Sequence, residues 1–236
     1  MKKVILGATG SIGSSLAKKL VESGEQVHLV GRDEASLSEL ANELNSKFTT
    51  CDVLEENFSE KIINDLNDEQ VNGLAYCVGS IDLKPLKLTK KSDFMQSFNL
   101  NLVSATEIIK SLADNLKASK GSIVLFSTVA VQQGFPNHAI VSSAKGAVEG
   151  LTLALAAEYA PNIRVNCIAP SLTNSKIAEP MLKNKALADG IAKAHPLKRL
   201  GEGKDSASLA KFLITDDSSW VTGQIIAVDG GRSKLS

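Results

Sequence analysis

Near its beginning the chain reads Lys3-Val-Ile-Leu-Gly7-Ala-Thr-Gly10-Ser-Ile-Gly13, a short apolar run that leads directly into three spaced glycines. The apolar run predicts a buried strand, and the glycines lie where a first helix would open. Glycine lets the backbone turn tightly and approach a bound phosphate, while the helix N-terminus supplies free N–H groups and partial positive charge. Because glycine turns between strand and helix also occur for packing reasons, the stretch indicates a dinucleotide site only in a matching context.

The rest of the 236 residues supplies that context, because short apolar runs alternate with longer amphipathic stretches almost throughout. This pattern is typical of βαβ units that build a parallel sheet. We predict an α/β fold: a Rossmann-type, doubly wound parallel sheet of about seven strands with helices on both faces, in a single domain over residues 1–236. The predicted strands lie near Lys3–Leu6, Gln26–Val30, Phe48–Thr50, Gly73–Cys77, Ser122–Phe126, Arg164–Ile168 and Gln224–Val228, and the clearest predicted helices are Glu34–Leu44 and Ser142–Tyr159.

The charge balance and the cysteine pattern narrow the class of protein. Lys plus Arg and Asp plus Glu number 26 each, so no net field favours nucleic acid or an anionic membrane, and a small-molecule substrate is the expected partner. Cys51, Cys77 and Cys167 have neither the spacing of a metal site nor the density of a disulfide scaffold, which predicts buried thiols and no metal. The first apolar run is too short for a signal-peptide core, so we expect a cytoplasmic protein.

An arginine follows the second predicted strand, in Val30-Gly31-Arg32-Asp33. This is where the adenosine ribose of a dinucleotide would lie. An acidic residue there would accept a hydrogen bond from the 2′-hydroxyl of NAD, whereas a guanidinium can bind a 2′-phosphate in bidentate fashion. The sequence therefore favours NADP(H), with the alternative of a solvated Arg32 beside an Asp33 that only caps the next helix.

The segment His138-Ala-Ile-Val141-Ser-Ser-Ala-Lys145 resembles the catalytic helix of the short-chain dehydrogenase/reductase family, whose signature is Tyr-x-x-x-Lys. Counting back from Lys145 places Val141 at the tyrosine position. The resemblance covers essentially the full length and is closest to the shorter, tetramer-forming subfamily, which implies a homotetramer or homodimer. Its other motifs are Phe-Asn-Leu-Asn101-Leu, Ser127-Thr128, the Ile163–Thr173 stretch and the closing Val221–Gly231 stretch.

What the resemblance implies for the site can be stated residue by residue. The expected catalytic group contains Thr128 to bond a substrate oxygen, Lys145 to hold the nicotinamide ribose and Asn101 in a water relay. The expected NADP(H) contacts are Gly7, Thr9, Ser11, Ile12, Gly13, Arg32, Asp52, Val53, Val78, Gly79, Lys145, Pro170, Leu172 and Thr173.

Besides Val141, the chain departs from the family pattern at three places. The glycine loop has Gly10-Ser11 where the shorter subfamily has its second glycine one position later. The Asn-Asn-Ala-Gly motif is Tyr76-Cys-Val-Gly79, which keeps only the last glycine. Ser171 replaces the glycine of the family's Pro-Gly pair. These changes weaken the transfer of roles to those side chains.

The valine removes the hydroxyl that, in this family, protonates the developing alkoxide. General acid catalysis typically contributes about 10²–10⁴-fold, so poor but measurable turnover can remain. His138 is one helical turn before Val141 if the helix is continuous, and seven residues before Lys145, where enoyl-thioester reductases of this superfamily place their tyrosine. We therefore hypothesise that His138 is a substitute acid, since an imidazole pKa of about 6.5 suits this work. Alternatively, residues 136–138 are a loop and His138 has no catalytic role.

The stretch from residue 174 to residue 200 is the least regular part of the chain and is a candidate substrate lid. Its many lysines and arginines could attract an anionic substrate or a phosphopantetheine carrier, or they could be solvated helix faces.

The leading interpretation of the whole chain is an atypical NADPH-dependent oxidoreductase acting on a carbonyl or enoyl substrate. The alternative is a non-catalytic NADP(H)-binding protein, a sensor or silent subunit. Apolar filling around Val141 would favour the second interpretation, and an open polar pocket containing His138 the first.

Overall fold

The computed structural model describes residues 1–235. In this part of the chain seven strands form one sheet and two short strands form another. The strands are β1 (Lys2–Leu6), β2 (Gln26–Gly31), β3 (Lys47–Thr50), β4 (Val71–Tyr76), β5 (Ser122–Phe126), β6 (Arg164–Pro170), β7 (Thr173–Asn174), β8 (Gly201–Glu202) and β9 (Ile225–Val228). The helices are α1 (Ser11–Glu22), α2 (Glu34–Leu44), α3 (Phe58–Leu66), α4 (Lys91–Phe98), α5 (Ser104–Ala118), α6 (Ala130–Gln133), α7 (Ala139–Tyr159), α8 (Glu179–Leu182), α9 (Lys185–Ala194) and α10 (Gly203–Ile214).

The large sheet has the order β3-β2-β1-β4-β5-β6-β9, and every neighbouring pair is parallel. All seven predicted strands are present, with bounds within two residues of those expected. The chain leaves β1 toward β2 on one side and returns to β4 on the other. A crevice therefore opens at the carboxyl ends of β1 and β4, where open α/β sheets bind ligands.

Two hydrophobic cores cover the two faces of this sheet. Successive residues of a strand point to opposite faces, so Val4 joins one core and Ile5 joins the other, and both are completely buried. The core containing Val4 is closed by α3, α5 and α7, and the core containing Ile5 by α1, α2 and α10. This arrangement confirms the doubly wound fold.

Helix α7 carries the family's Tyr-x-x-x-Lys position and begins earlier than predicted, at Ala139 rather than Ser142. The left-handed φ of +68° at Asn137 stops it from extending further back. By length and composition alone α7 is the one helix among the described residues that could cross a membrane. Its buried side chains, including Val148 and Leu155, pack in the core against the sheet.

Two local features were not predicted. A π-helical segment, Asn99–Val103, joins α4 to α5 in one continuous helical path. Such segments are rare and frequently lie at functional sites. The second feature is the pairing of β7 with β8, which ties the two ends of residues 174–200 together. Within those residues the chain is mostly helical, with one 3₁₀ turn followed by α8 and α9.

Candidate active site

The carboxyl ends of the strands open into one continuous cavity of about 1720 Å³, which runs from the glycine loop to the segment from residue 174 to residue 200. Most of the residues that the sequence singled out line this cavity. They are Gly7, Thr9, Ser11, Ile12, Arg32, Asp52, Val53, Val78, Gly79, Thr128, His138, Val141, Lys145, Pro170, Leu172 and Thr173. Gly13 and Asn101 lie behind the lining.

The glycine loop has no room for side chains. Gly7 has a φ of +73°, and a Cβ there would lie 2.9 Å from the carbonyl oxygen of Cys77. A Cβ on Gly13 would overlap the carbonyl oxygen of Gly7, so Gly13 supports the turn rather than touching a ligand. Helix α1 begins at Ser11, directly after the loop, and has no acidic residue in its first turn. Its first N–H groups have no partners within the helix, so this end fits a pyrophosphate.

At the adenosine end, Arg32 lies on the cavity wall with 82% of its side chain exposed and makes a long ion contact, 3.8 Å, to Asp52. Asp33 caps α2 by accepting a hydrogen bond from the backbone N–H of Ser36 at 2.8 Å. The hydrogen bonds from Ser36, with a smaller contribution from the charge of Lys176, lower the pKa of Asp33. Lys176 lines the same cavity. Two cations therefore lie at the end where a 2′-phosphate would sit.

Lys145 is buried at the opposite end of the cavity, with 7% of its surface exposed. Burial lowers the pKa of its ammonium to about 8, and the neighbouring Cys167 and Cys77 only partly offset this effect. A Cβ on Gly79 would lie 3.1 Å from the Lys145 Nζ atom. Because Gly79 has no side chain, the Lys145 amine can occupy this position.

Asn101 lies in the π-helical segment and is almost completely buried. Its Nδ2 donates to the carbonyl oxygen of Ser97 at 2.8 Å and to the Ser97 hydroxyl at 3.3 Å. Its Oδ1 has no hydrogen-bond partner among the described residues and faces Gly79, at 3.1 Å from where a Cβ would be. A buried acceptor without a partner is costly, so this oxygen fits a water or a ligand hydroxyl beside Lys145.

Thr128 and Val141 lie on the cavity wall near Lys145. Thr128 follows β5, and its hydroxyl accepts a 3.3 Å hydrogen bond from the N–H of Ala130 while its own proton remains able to reach the cavity. Val141 is the third residue of α7 and is 6% exposed. At this point the wall is apolar and offers no proton.

His138 reaches the cavity, but not from the helix. It directly precedes α7, so the expectation of a continuous helix through His138 is wrong and residues 136–138 are a loop, while its catalytic role stays a prediction. Its Nδ1 bonds the carbonyl oxygen of Pro136 at 2.8 Å, and its ring stacks at a tilt on Phe135. The residue is half-buried at the edge of the cavity.

The two tyrosines of the chain both lie away from the cavity lining. Tyr76 is 2% exposed and donates its hydroxyl to the carbonyl oxygen of Leu100 at 2.7 Å. Burial raises its pKa further above the usual phenol value, so the hydroxyl stays neutral. Tyr159 is the last residue of α7, far along the helix from Val141.

The segment from residue 174 to residue 200, hereafter the lid, presents an apolar surface to the cavity. The lid residues on that surface include Ile177, Pro180, Met181, Leu187 and Ile191. Of its basic residues only Lys176 lines the cavity. The others, Lys183, Lys185, Lys193, Lys198 and Arg199, lie outside the lining, as the alternative of solvated helix faces predicted.

One polar pair at the base of the lid was not predicted. The hydroxyl of Ser171, directly after β6, lies 2.8 Å from the Nε2 atom of His195, directly after α9. His195 is 2% exposed, and its Nδ1 lies 2.7 Å from the carbonyl oxygen of Ile191. Both residues line the cavity. The replacement of glycine by Ser171 was visible in the sequence, but its partner 24 residues later was not.

Comparisons with known proteins agree with this geometry. A family model described as enoyl-(acyl carrier protein) reductase matches residues 7–233. The chain is 33% identical over 238 residues to a tropinone reductase homolog of Arabidopsis thaliana, covering 97% of this chain and 90% of that protein. A second tropinone reductase homolog of that plant is 34% identical over 241 residues, with coverage of 98% and 92%.

Solved structures give the same result. A short-chain type dehydrogenase/reductase from Mycobacterium ulcerans superposes with a TM-score of 0.91 at 26% identity, covering 98% of this chain and 89% of that one. A structure described as ElxO with NADP bound superposes with a TM-score of 0.90 at 26% identity and covers 98% of both chains.

Proposed function

The chain belongs to the short-chain dehydrogenase/reductase family, and from this premise we propose that it is an NADPH-dependent oxidoreductase that reduces a carbonyl or enoyl substrate without a tyrosine acid. The observation that carries the proposal is the gathering of Lys145, Asn101 and Thr128 at one end of a cavity whose other end is a glycine cradle. Valine at position 141 removes the tyrosine hydroxyl of the family but leaves that arrangement in place.

NADP(H) fits the residues present. The side-chain-free turn at Gly7 and the free N–H groups of α1 suit the pyrophosphate, and Arg32 with Lys176 suits the 2′-phosphate. The similar ElxO structure that is described with NADP bound supports the same cofactor. When bound, NADPH supplies the hydride for the reduction.

Each polar residue at the Lys145 end then has a role. Lys145 donates to the hydroxyls of the nicotinamide ribose, and Thr128 donates its free hydroxyl proton to the substrate oxygen. Asn101 holds a water through its unpartnered Oδ1 beside the lysine. The apolar surface of the lid excludes water from the reacting atoms and contacts the apolar part of the substrate.

The proton comes from a group other than tyrosine. We consider two sources, His138 and a water in the space beside Val141. The loop position of His138 keeps it at the rim, and its Nδ1 is engaged by Pro136, so only its Nε2 is available for a substrate. The open cavity around Val141 accommodates the water.

The proposal is tested by assaying NADPH consumption and product mass for ketone, quinone, 3-oxoacyl and enoyl thioester substrates. Wild type, Val141→Tyr and Lys145→Met are compared side by side, with cofactor binding followed by NADPH fluorescence. Turnover by wild type that Lys145→Met abolishes supports the proposal. NADPH binding without turnover of any substrate by wild type would overturn it.

The second candidate function is a non-catalytic NADP(H)-binding protein, a sensor or silent subunit. The specific observation that favours it is the apolar wall at Val141, with both tyrosines placed away from the cavity. Turnover by Val141→Tyr alone, with none by wild type, is the outcome that supports this candidate.

The proposal also includes a single domain over residues 1–236, a cytoplasmic location and a homotetramer or homodimer. Trp220 is 99% exposed and Phe212 is 39% exposed, and both precede the sheet-edge strand β9 in the chain. We propose that an interface with a second copy of the chain buries Trp220. Sedimentation of wild type and Trp220→Ser tests this part.

A further inference from the structure

The pair formed by Ser171 and His195 occupies a part of the cavity wall that the proposed roles do not use. From its geometry we infer that Ser171 delivers the proton that a tyrosine would otherwise supply, and that His195 supplies it to Ser171. This inference rests on the proposed function and names the acid of that same site.

The tautomer of His195 follows from its partners. A carbonyl oxygen only accepts, so the 2.7 Å contact requires that Nδ1 carry a proton and donate it to Ile191. In the neutral ring Nε2 is then the acceptor, and the 2.8 Å contact is a hydrogen bond donated by the Ser171 hydroxyl. A hydroxyl beside a ring nitrogen whose ring is oriented by a third group is the arrangement that enzymes use to move protons.

A second proton on His195 reverses this bond. Nε2–H then donates to the Ser171 oxygen, and the Ser171 hydroxyl proton becomes free to bond a substrate oxygen. As the substrate carbon accepts the hydride, its oxygen takes the proton from Ser171, and Ser171 takes the Nε2 proton. The imidazolium becomes a neutral imidazole and is reprotonated by solvent, so one hydride and one proton are used for each carbonyl group reduced.

Ser171 lies beside the place where the substrate oxygen is expected. The N–H of Ser127 bonds the carbonyl of Ile168 at 2.7 Å, and the N–H of Val129 bonds the carbonyl of Pro170 at 3.1 Å. The pairing of β5 with β6 therefore continues past β5 and brings Thr128 next to the loop that carries Ser171. Both hydroxyl groups line the same cavity as Val141.

Several charged groups lie near His195. Asp229 is the carboxylate that interacts electrostatically with the ring. Burial raises the pKa of Asp229, but hydrogen bonds from Ser233 and Gly231 outweigh burial and, with the charge of His195, hold the pKa below its usual value. Of the other charged groups nearby, Arg199 pairs with Asp205 at 2.6 Å, and the Lys198 amine bonds the carbonyl of Lys193.

Three variants separate proton delivery from support of the lid. Ser171→Ala removes the hydroxyl, and Ser171→Gly restores the residue usual in the family. His195→Asn keeps a donor for the Ile191 carbonyl, so it retains the contact that holds the end of α9. It has no titrating nitrogen and therefore cannot deliver a proton. Ser175→Ala, four residues later, is the matched control, because its hydroxyl lines the same cavity but bonds the carbonyl oxygen of Thr173 instead of a histidine.

The measurements are kcat and KM against pH, the NADPH dissociation constant, and ¹⁵N NMR titration of the histidine rings, of which the chain has three. We expect Ser171→Ala and His195→Asn to lower kcat about 100-fold or more, the usual range for a lost general acid. KM and NADPH affinity should change less than threefold. The kcat of wild type should fall as pH rises through the His195 pKa read by NMR, and this limb should be absent in both variants.

The sharpest test is rescue of the Ser171→Ala variant by a tyrosine at position 141. If Ser171 had only a structural role, the tyrosine would not restore the lost kcat. In a Val141→Tyr background a tyrosine supplies the proton, so adding Ser171→Ala should then cost less than threefold in kcat. A kcat of Ser171→Ala within threefold of an active wild type would overturn this inference alone. An equal loss of kcat in the wild-type and Val141→Tyr backgrounds would do the same. NADPH binding without turnover in wild type would overturn it together with the proposed function.

Discussion

Lys145 and Asn101 approach the same point, since the Nζ atom of one and the Oδ1 atom of the other each lie 3.1 Å from the position that a Cβ on Gly79 would occupy. The amide is fixed by its two bonds to Ser97, whereas the lysine amine is the end of a flexible side chain. Any side chain at Gly79 would therefore displace the amine first.

This relationship predicts the effect of Gly79→Ala. The added methyl should push the amine away from the ribose site, so NADPH affinity and kcat should each fall about tenfold while the protein stays folded. Fluorescence titration and steady-state kinetics measure the losses. The matched control is Gly150→Ala in α7, where a Cβ meets open space and should stabilise the helix by about 0.5–1 kcal/mol. Equal cofactor affinity in Gly79→Ala and wild type would contradict the crowding argument.

Arg32→Gln is expected to reduce the preference for NADPH over NADH. The guanidinium is largely exposed and only loosely engaged by Asp52, so a 2′-phosphate is its natural partner. Losing one charge-assisted contact should raise the NADPH dissociation constant roughly tenfold and leave that for NADH nearly unchanged. Lys18→Gln, an exposed cation on α1, is the control. A parallel change for both cofactors would show that Arg32 acts on something other than the phosphate.

The sequence predicted the large sheet well because each strand is a local apolar run. It also predicted most of the residues that line the cavity, because the glycine loop and the strand ends meet at one edge of a parallel sheet. The predicted start of α7 was too late, since the left-handed backbone at Asn137 does not follow from the pattern of apolar and polar side chains. The Ser171 and His195 pair depends on how the lid folds back, and no periodicity encodes such a contact.

Lys145→Met should stabilise the protein while removing its activity. Burial lowers the pKa of the lysine to about 8, below the unfolded value near 10.5. Below pH 8 the lysine is protonated in both the folded and the unfolded state, and only the folded state includes the cost of burying its charge. The free energy of unfolding should therefore rise by up to about 3 kcal/mol as pH increases from 8 to 10.5. Methionine carries no such cost. Urea unfolding of both proteins should show the variant to be more stable at pH 7, with the difference shrinking toward pH 10. A less stable variant at pH 7 would contradict the sign.

His28 should make the fold sensitive to acid. Its ring is completely buried on β2, where Nε2 bonds the Thr49 hydroxyl at 2.9 Å and that hydroxyl donates to Asp65 at 2.7 Å. The hydroxyl has one proton, so Nε2 must donate to it, and Nδ1 is then an unprotonated nitrogen without a partner in the described chain.

Burial therefore lowers the pKa of His28 to about 4, although Asp65 and Glu69 oppose the shift. The unfolded chain takes up a proton near pH 6.5 and the folded one does so only near pH 4, so the free energy of unfolding should fall by about 3 kcal/mol as pH drops through that window. His28→Gln, which keeps a donor for Thr49, should remove most of this slope in urea unfolding measured from pH 7 to pH 4. A slope that persists in His28→Gln would assign the acid sensitivity to another group.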